Sequence, residues 1–86
     1  MVNEKEFKKL KLKSKIVHLQ MAGEQVSERF HFNFKVQLFT YNGYFVEVWR
    51  SLKFDEIYSI DIAPKRSVAE AYLGKIDLLK LGINKN

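Results

Sequence analysis

The chain has 86 residues, with fifteen lysines and arginines against ten aspartates and glutamates, a formal net charge of +5 and no cysteine. Without thiols neither disulfides nor thiolate metal sites can be built, and no apolar run approaches the ~20 residues of a membrane helix. The length suits one small domain, which buries only roughly 60–65% of the surface its unfolded chain exposes.

The charge is unevenly spread. Residues 1–15 hold six lysines and two glutamates, whereas residues 16–86 hold nine basic and eight acidic groups. The expectation is a basic N-terminal arm or short helix over residues 1–14, followed by one α+β domain over residues 15–86. Arms of this kind meet nucleic acid or anionic surfaces, or act as solubilising segments. Lys8, Lys9, Lys11, Lys13 and Lys15 are the candidate phosphate contacts. The lysine-rich start lacks the apolar stretch and small-residue cleavage site of a secretory signal, so a cytoplasmic location is expected.

Residues 3–13 fit two templates. Phe7 and Leu10 suit a short helix, while Leu10 and Leu12 with lysines between them suit a strand; a helix or irregular arm is expected. Ile16–Met21 alternates Val17, Leu19 and Met21 against Ile16, His18 and Gln20 and reads as a first strand, with a turn at residues 22–25. A helix over Ser14–Glu28 is the rival reading.

Phe30–Phe54 carries the strongest signal, alternation on both sides of Asn42-Gly43, the best short-range hairpin cue. A two-residue loop pairs Val36 with Trp49 and sets Glu47 against Leu38. A three-residue loop pairs Val36 with Val48 and Leu38 with Val46, and sorts the faces better. The second register is therefore expected, as a type I turn closed by a bulge at Gly43. It gives a dry face of Phe30, Phe32, Phe34, Val36, Leu38, Val46, Val48, Leu52 and Phe54, interrupted by Arg50. An ion pair from Arg50 to Asp61, Glu70 or Asp77 would relieve that charge.

Asp55-Glu56 marks a turn, and Ile57–Ile62 a strand with Tyr58, Ile60 and Ile62 on one face. Pro64 ends it, since proline cannot donate to a ladder. Ser67 and Glu70 match a capping box, and apolar spacing at Val68, Tyr72, Ile76 and Leu79 predicts a helix over Ser67–Leu81, with Gly74 as a potential break. The predicted fold is α+β: a four-stranded antiparallel meander with one face covered by a C-terminal helix. The order of four strands and a helix resembles in outline the PUR-type and Whirly-type nucleic-acid-binding repeats, none of whose sequence motifs occur here; the resemblance is one of shape.

Chemistry-bearing constellations are scarce. His18 and His31 have no companions that would complete a metal site, the serines lack a base and an orienting partner, and the glycines form no phosphate loop. No catalytic residue, metal or cofactor is expected. The open sheet face is the candidate surface: His31, Lys35, Phe39, Phe45, Trp49 and Lys53 interleave aromatic rings with basic groups, the pattern by which sheets stack bases and hold phosphates. The expected function is a non-enzymatic binding domain, favoured as a single-strand nucleic-acid module. The alternative is a protein-interaction or homodimerisation domain using the same face or the outer strand. No membrane partner is expected.

Overall fold

The computed structural model describes residues 1–74. The elements in chain order are α1 (Glu4–Lys9), α2 (Leu12–Ala22), β1 (Glu24–His31), β2 (Phe34–Tyr41), β3 (Tyr44–Ser51), β4 (Ile57–Ala63) and α3 (Lys65–Ala71). The strands form one antiparallel meander in the order β1-β2-β3-β4. The fold is α+β, with α3 on one face of the sheet and α1 and α2 on the other.

The short helix expected near the start forms as α1, and the elements after it differ from expectation. Asn3 caps α1 through a capping box: its side chain accepts from the Glu6 amide at 2.8 Å, and the Glu6 carboxylate accepts from the Asn3 amide at 3.4 Å. Such a box satisfies two of the amides a helix leaves orphaned at its start. The stretch expected as a strand, Ile16–Met21, lies inside α2, so the rival helical reading is the correct one over these residues. Its Leu19 is buried and Ile16 packs against the same core, which is helical spacing. The first strand is instead Glu24–His31, whose polar composition hides it; a bulge between Gln25 and Ser27 also breaks its alternation.

The central register is the other correction. Tyr41 pairs with Tyr44, Leu38 with Glu47 and Val36 with Trp49, around a two-residue loop. Asn42 (φ 49°) and Gly43 (φ 82°) both take the left-handed conformation, the type I′ geometry that matches the twist of a hairpin. The two-residue register is stable because Glu47 has partners brought in from elsewhere. Arg29 of β1 and Tyr72 after α3 both bond its carboxylate, so the charge beside Leu38 is satisfied. Sequence spacing within the hairpin contains neither partner.

Two cores follow from this one-residue shift. Tyr41, Tyr44, Val46, Val48 and Ile60 face α1 and α2 and pack with Phe7 and Leu19. Leu38, Phe45 and Ala63 face α3 and pack with Val68 and Tyr72. Val36 and Val48 are thus both buried, but on opposite sides of the sheet, and the single dry face expected from the sequence does not exist. Each such side chain stabilises the fold by ~1.5–3 kcal/mol through removal from water. Phe32 and Leu52 belong to turns rather than to paired strands.

Val2 closes the tip of the β2–β3 hairpin. Its amide donates to the Tyr41 hydroxyl at 3.2 Å, and its carbonyl accepts from Asn42 Nδ2 and the Tyr44 hydroxyl, each at 2.9 Å. On the far side Lys15 Nζ reaches from α2 to the Ile60 carbonyl of β4 at 2.9 Å. The N-terminal segment is therefore part of the folded body.

Helix α3 starts at Lys65, two residues before the expected position. Pro64 is its N-cap residue with φ −58°, and no side-chain cap is made, so the expected box of Ser67 and Glu70 is absent. The helix ends ahead of Gly74, whose φ of 80° is the left-handed geometry glycine tolerates. The remainder of the helix expected to Leu81, with Ile76, Asp77 and Leu79, lies outside the described residues.

Candidate functional site at the aromatic end of the sheet

The expected surface residues fall on two faces. Lys35 and Phe39 point to the α2 side, where Phe39 is half-buried against the core and Lys35 pairs with Glu28 at 3.7 Å. Phe45 lies under α3, 3% exposed. His31 and Trp49 are on the α3 side, beyond the end of that helix, and Lys53 is in the turn between β3 and β4. Of the expected set, only His31 and Trp49 are in contact with one another among the described residues.

What gathers around them is a chain of rings. Phe32 meets His31 edge-on at 4.7 Å between centroids, His31 meets Trp49 at 5.7 Å, Trp49 meets Phe34 at 5.6 Å, and Phe34 meets Tyr58 at 5.3 Å. Tilted and edge-to-face contacts of this kind add ~0.5–1.5 kcal/mol each beyond burial. Tyr58 joins the row because a register shift at Trp49/Arg50 turns it away from Ile60 and Ile62, with which it was expected to share a face. The Leu52 amide donates to the Asn33 carbonyl at 2.9 Å, which ties the two turns of this end together.

The outer surface of this end is apolar and wet. Phe30 is 63% exposed, Phe32 88%, Leu52 51%, Phe54 66% and Tyr58 70%. Phe32 is also held at φ 52°, a conformation that L-residues other than asparagine and aspartate rarely adopt. Its backbone costs about 1–2 kcal/mol relative to an unstrained residue, and its ring is left almost wholly in solvent.

The two arginines of this end already have carboxylate partners. Arg29 donates to Glu47 through Nε at 3.2 Å, with its Nη2 at the same distance in the ion pair, while its guanidinium lies 5.3 Å from the Trp49 ring and 5.7 Å from the Tyr72 ring. Burial opposes its charge, and the Glu47 carboxylate more than offsets this, so its pKa is raised. Tyr72 donates to the same Glu47 oxygen at 2.7 Å, and burial followed by that bond pushes its hydroxyl pKa up. Arg50 pairs with Asp55 at 3.8 Å and donates to the Asp55 carbonyl at 3.4 Å. Asp55 thus takes the place of the expected candidates Asp61 and Glu70, and Asp77 lies outside the described residues. Lys53 lies over the Phe54 ring at 5.4 Å.

The basic residues of the expected arm are elsewhere. Lys8 and Lys9 end α1, Lys11 and Lys13 begin α2, and all four are exposed on the opposite side of the sheet from Trp49. Lys15 is engaged with Ile60 and sits 5.8 Å from the Phe7 ring. His18 shares a 3.0 Å hydrogen bond with the Tyr41 hydroxyl. No group of three or more histidines, aspartates or glutamates comes together as a metal site among the described residues, and none of their helices is long and apolar enough to cross a membrane.

A concavity lies beside α2. It is an open groove of about 140 Å³ with Ile16, Phe39, Ile57 and Ile60 among its walls and Gln37 and Arg50 at its polar side. Comparison with protein-family models, with curated proteins and with solved structures found no match.

Proposed function

We propose that this chain is a non-enzymatic binding domain and that the aromatic end of the sheet is its contact surface for another protein. The observation that carries the reading is the exposure of Phe32, Phe54 and Tyr58 at one end of an otherwise packed sheet. Exposed apolar area concentrated in one patch is the usual mark of a protein contact, and aromatic side chains supply most of the energy at such contacts. Charge supports a protein over a phosphate backbone. Arg29 and Arg50 each face a carboxylate of the same chain, while Lys53 lies over the Phe54 ring.

A photo-reactive amino acid at position 54, with position 13 as control, tests this in the native host. The expected result is protein adducts from position 54 and few from position 13. Adducts to nucleic acid alone, or none from position 54, would reject the reading.

Single-strand nucleic-acid binding is the second reading. It is favoured by the exposed rings together with Lys53 over Phe54 and by the lysines of α1 and α2. Its signature is affinity for an oligonucleotide that falls steeply with salt, and that is lost when Phe32 and Tyr58 are replaced by serine.

A further inference from the structure

We propose that the partner seated on the aromatic end is a second copy of this chain, packed end to end about a two-fold axis. This rests on the reading of that end as a protein contact.

Area is the first argument. With ~200 Å² for a whole large side chain, the exposed fractions of Phe32, Leu52, Phe54 and Tyr58 leave roughly 500–600 Å² of apolar surface at this end, Phe30 being opposite Lys35 on the α2 side. The largest patch on a typical monomer is ~300–600 Å², and a stable complex buries ~800 Å² per partner. One copy against another covers about two thirds of the requirement with these four residues, and the rim of the two turns supplies the rest.

Charge is the second. A chain of net charge +5 repels its copies, so a self-contact has to keep the lysines of α1 and α2 apart. The aromatic end does so, because those helices lie across the other face of the sheet. The turn between β3 and β4 is also complementary to itself. It carries Lys53 beside Asp55 and Glu56, all exposed, with Asp55 at 88% side-chain exposure. In a two-fold contact the same patch meets itself reversed, which sets Lys53 of one copy against the acids of the other.

Strain is consistent with this. Phe32 occupies a backbone conformation suited to asparagine or glycine while its ring packs only edge-on against His31. In the dimer that ring becomes buried, which offsets the backbone cost.

Sedimentation equilibrium of the full chain from about 5 to about 500 μM tests the proposal. The expected result is a doubling of mass across this range, together with decreasing acrylamide quenching of Trp49. Phe32→Asn combined with Phe54→Ser is expected to weaken association about tenfold or more. Lys53→Glu is expected to weaken it as well, and Lys53→Glu with Glu56→Lys in the same chain to restore it, a reversal that misfolding does not produce. A monomer at every concentration overturns the proposal, as does a dimer that neither variant weakens. The position-54 cross-linker separates the layers. Adducts to a different protein from a monomeric chain reject the dimer and keep the protein contact. A link within the same chain, or no link, rejects both.

Discussion

Arg29 and Glu47 meet at 3.2 Å across the strand that separates them, with side chains 20% and 13% exposed. The pair joins β1 to β3, and Tyr72 adds α3 to the same carboxylate. Three elements therefore share one acceptor group on the face of the sheet covered by α3.

Glu47→Ala is expected to destabilise the fold by about 1–3 kcal/mol, because it leaves Arg29 without its counter-charge and the Tyr72 hydroxyl without its acceptor. Glu47→Gln keeps an acceptor for Tyr72 and is expected to cost less. Urea unfolding of both variants checks the order; equal stability of Glu47→Ala and the parent would show that the network is idle.

Phe32→Asn is expected to raise stability by about 0.5–1 kcal/mol, since asparagine accepts a positive φ and the ring it replaces is 88% exposed. The same substitution is expected to weaken self-association. Paired measurements of thermal midpoint and sedimentation should move in opposite directions.

Gly23→Ala is expected to cost about 1–3 kcal/mol through overpacking. A Cβ at that position would lie 2.7 Å from the Leu19 carbonyl oxygen, a backbone atom that cannot swing away. Circular dichroism during denaturant titration would reveal an earlier midpoint, and an unchanged midpoint would mean that the α2–β1 junction relaxes freely.

Alkaline pH should act through Tyr44. Burial first, then the neighbouring Tyr41 and the charges of Glu4 and Glu6, push its pKa from 10.0 up to about 12. A raised folded-state pKa means that the folded chain holds this proton more tightly than the unfolded one. The associated stability is complete below about pH 10 and disappears as pH rises towards about 12. Tyr44→Phe is expected to lose less stability than the parent between pH 10 and 12, and parallel losses would place the alkaline sensitivity elsewhere.

Lys15→Met is expected to cost about 0.5–1.5 kcal/mol for the lost bond to the Ile60 carbonyl. It also removes a charge from the margin of β4, an outer strand, where lysines discourage pairing with other chains. Light scattering on storage should show slow aggregation in the variant and none in the parent.

The strand-forming segments of the central hairpin and of β4 were legible in the sequence, because alternation, Asn42-Gly43 and Pro64 are local signals. The register was not, because the residues that make Glu47 tolerable beside Leu38 lie 18 and 25 positions away. The helix α2 was ambiguous because its apolar residues satisfy periods of two and of 3.6 alike. The strand β1 was hidden by its polar composition. The aromatic end is only half visible in the sequence: Trp49 and His31 fall on the candidate face, whereas the three-residue register puts Phe32 and Phe34 on the other, and the irregularity at Trp49/Arg50 that turns Tyr58 has no local signal. The exposed phenylalanines at the two turns were the available clue.

The strictly sequential order of the four strands has a kinetic meaning. Two of the three hairpins close over loops of only two residues, residues 32–33 and 42–43, and such short-range closure is entropically cheap and fast. The bonds from Val2 to Tyr44 and from Lys15 to Ile60 span 42 and 45 positions, so they are expected to form after the meander has zipped. The expectation is that on unfolding α1 and α2 separate before the ribbon of strands, exposing Val46, Val48 and Ile60. Native-state hydrogen exchange should find the amides of the two helices faster than those of the central hairpin, and that half-undressed species is where a protease or a chaperone would take hold.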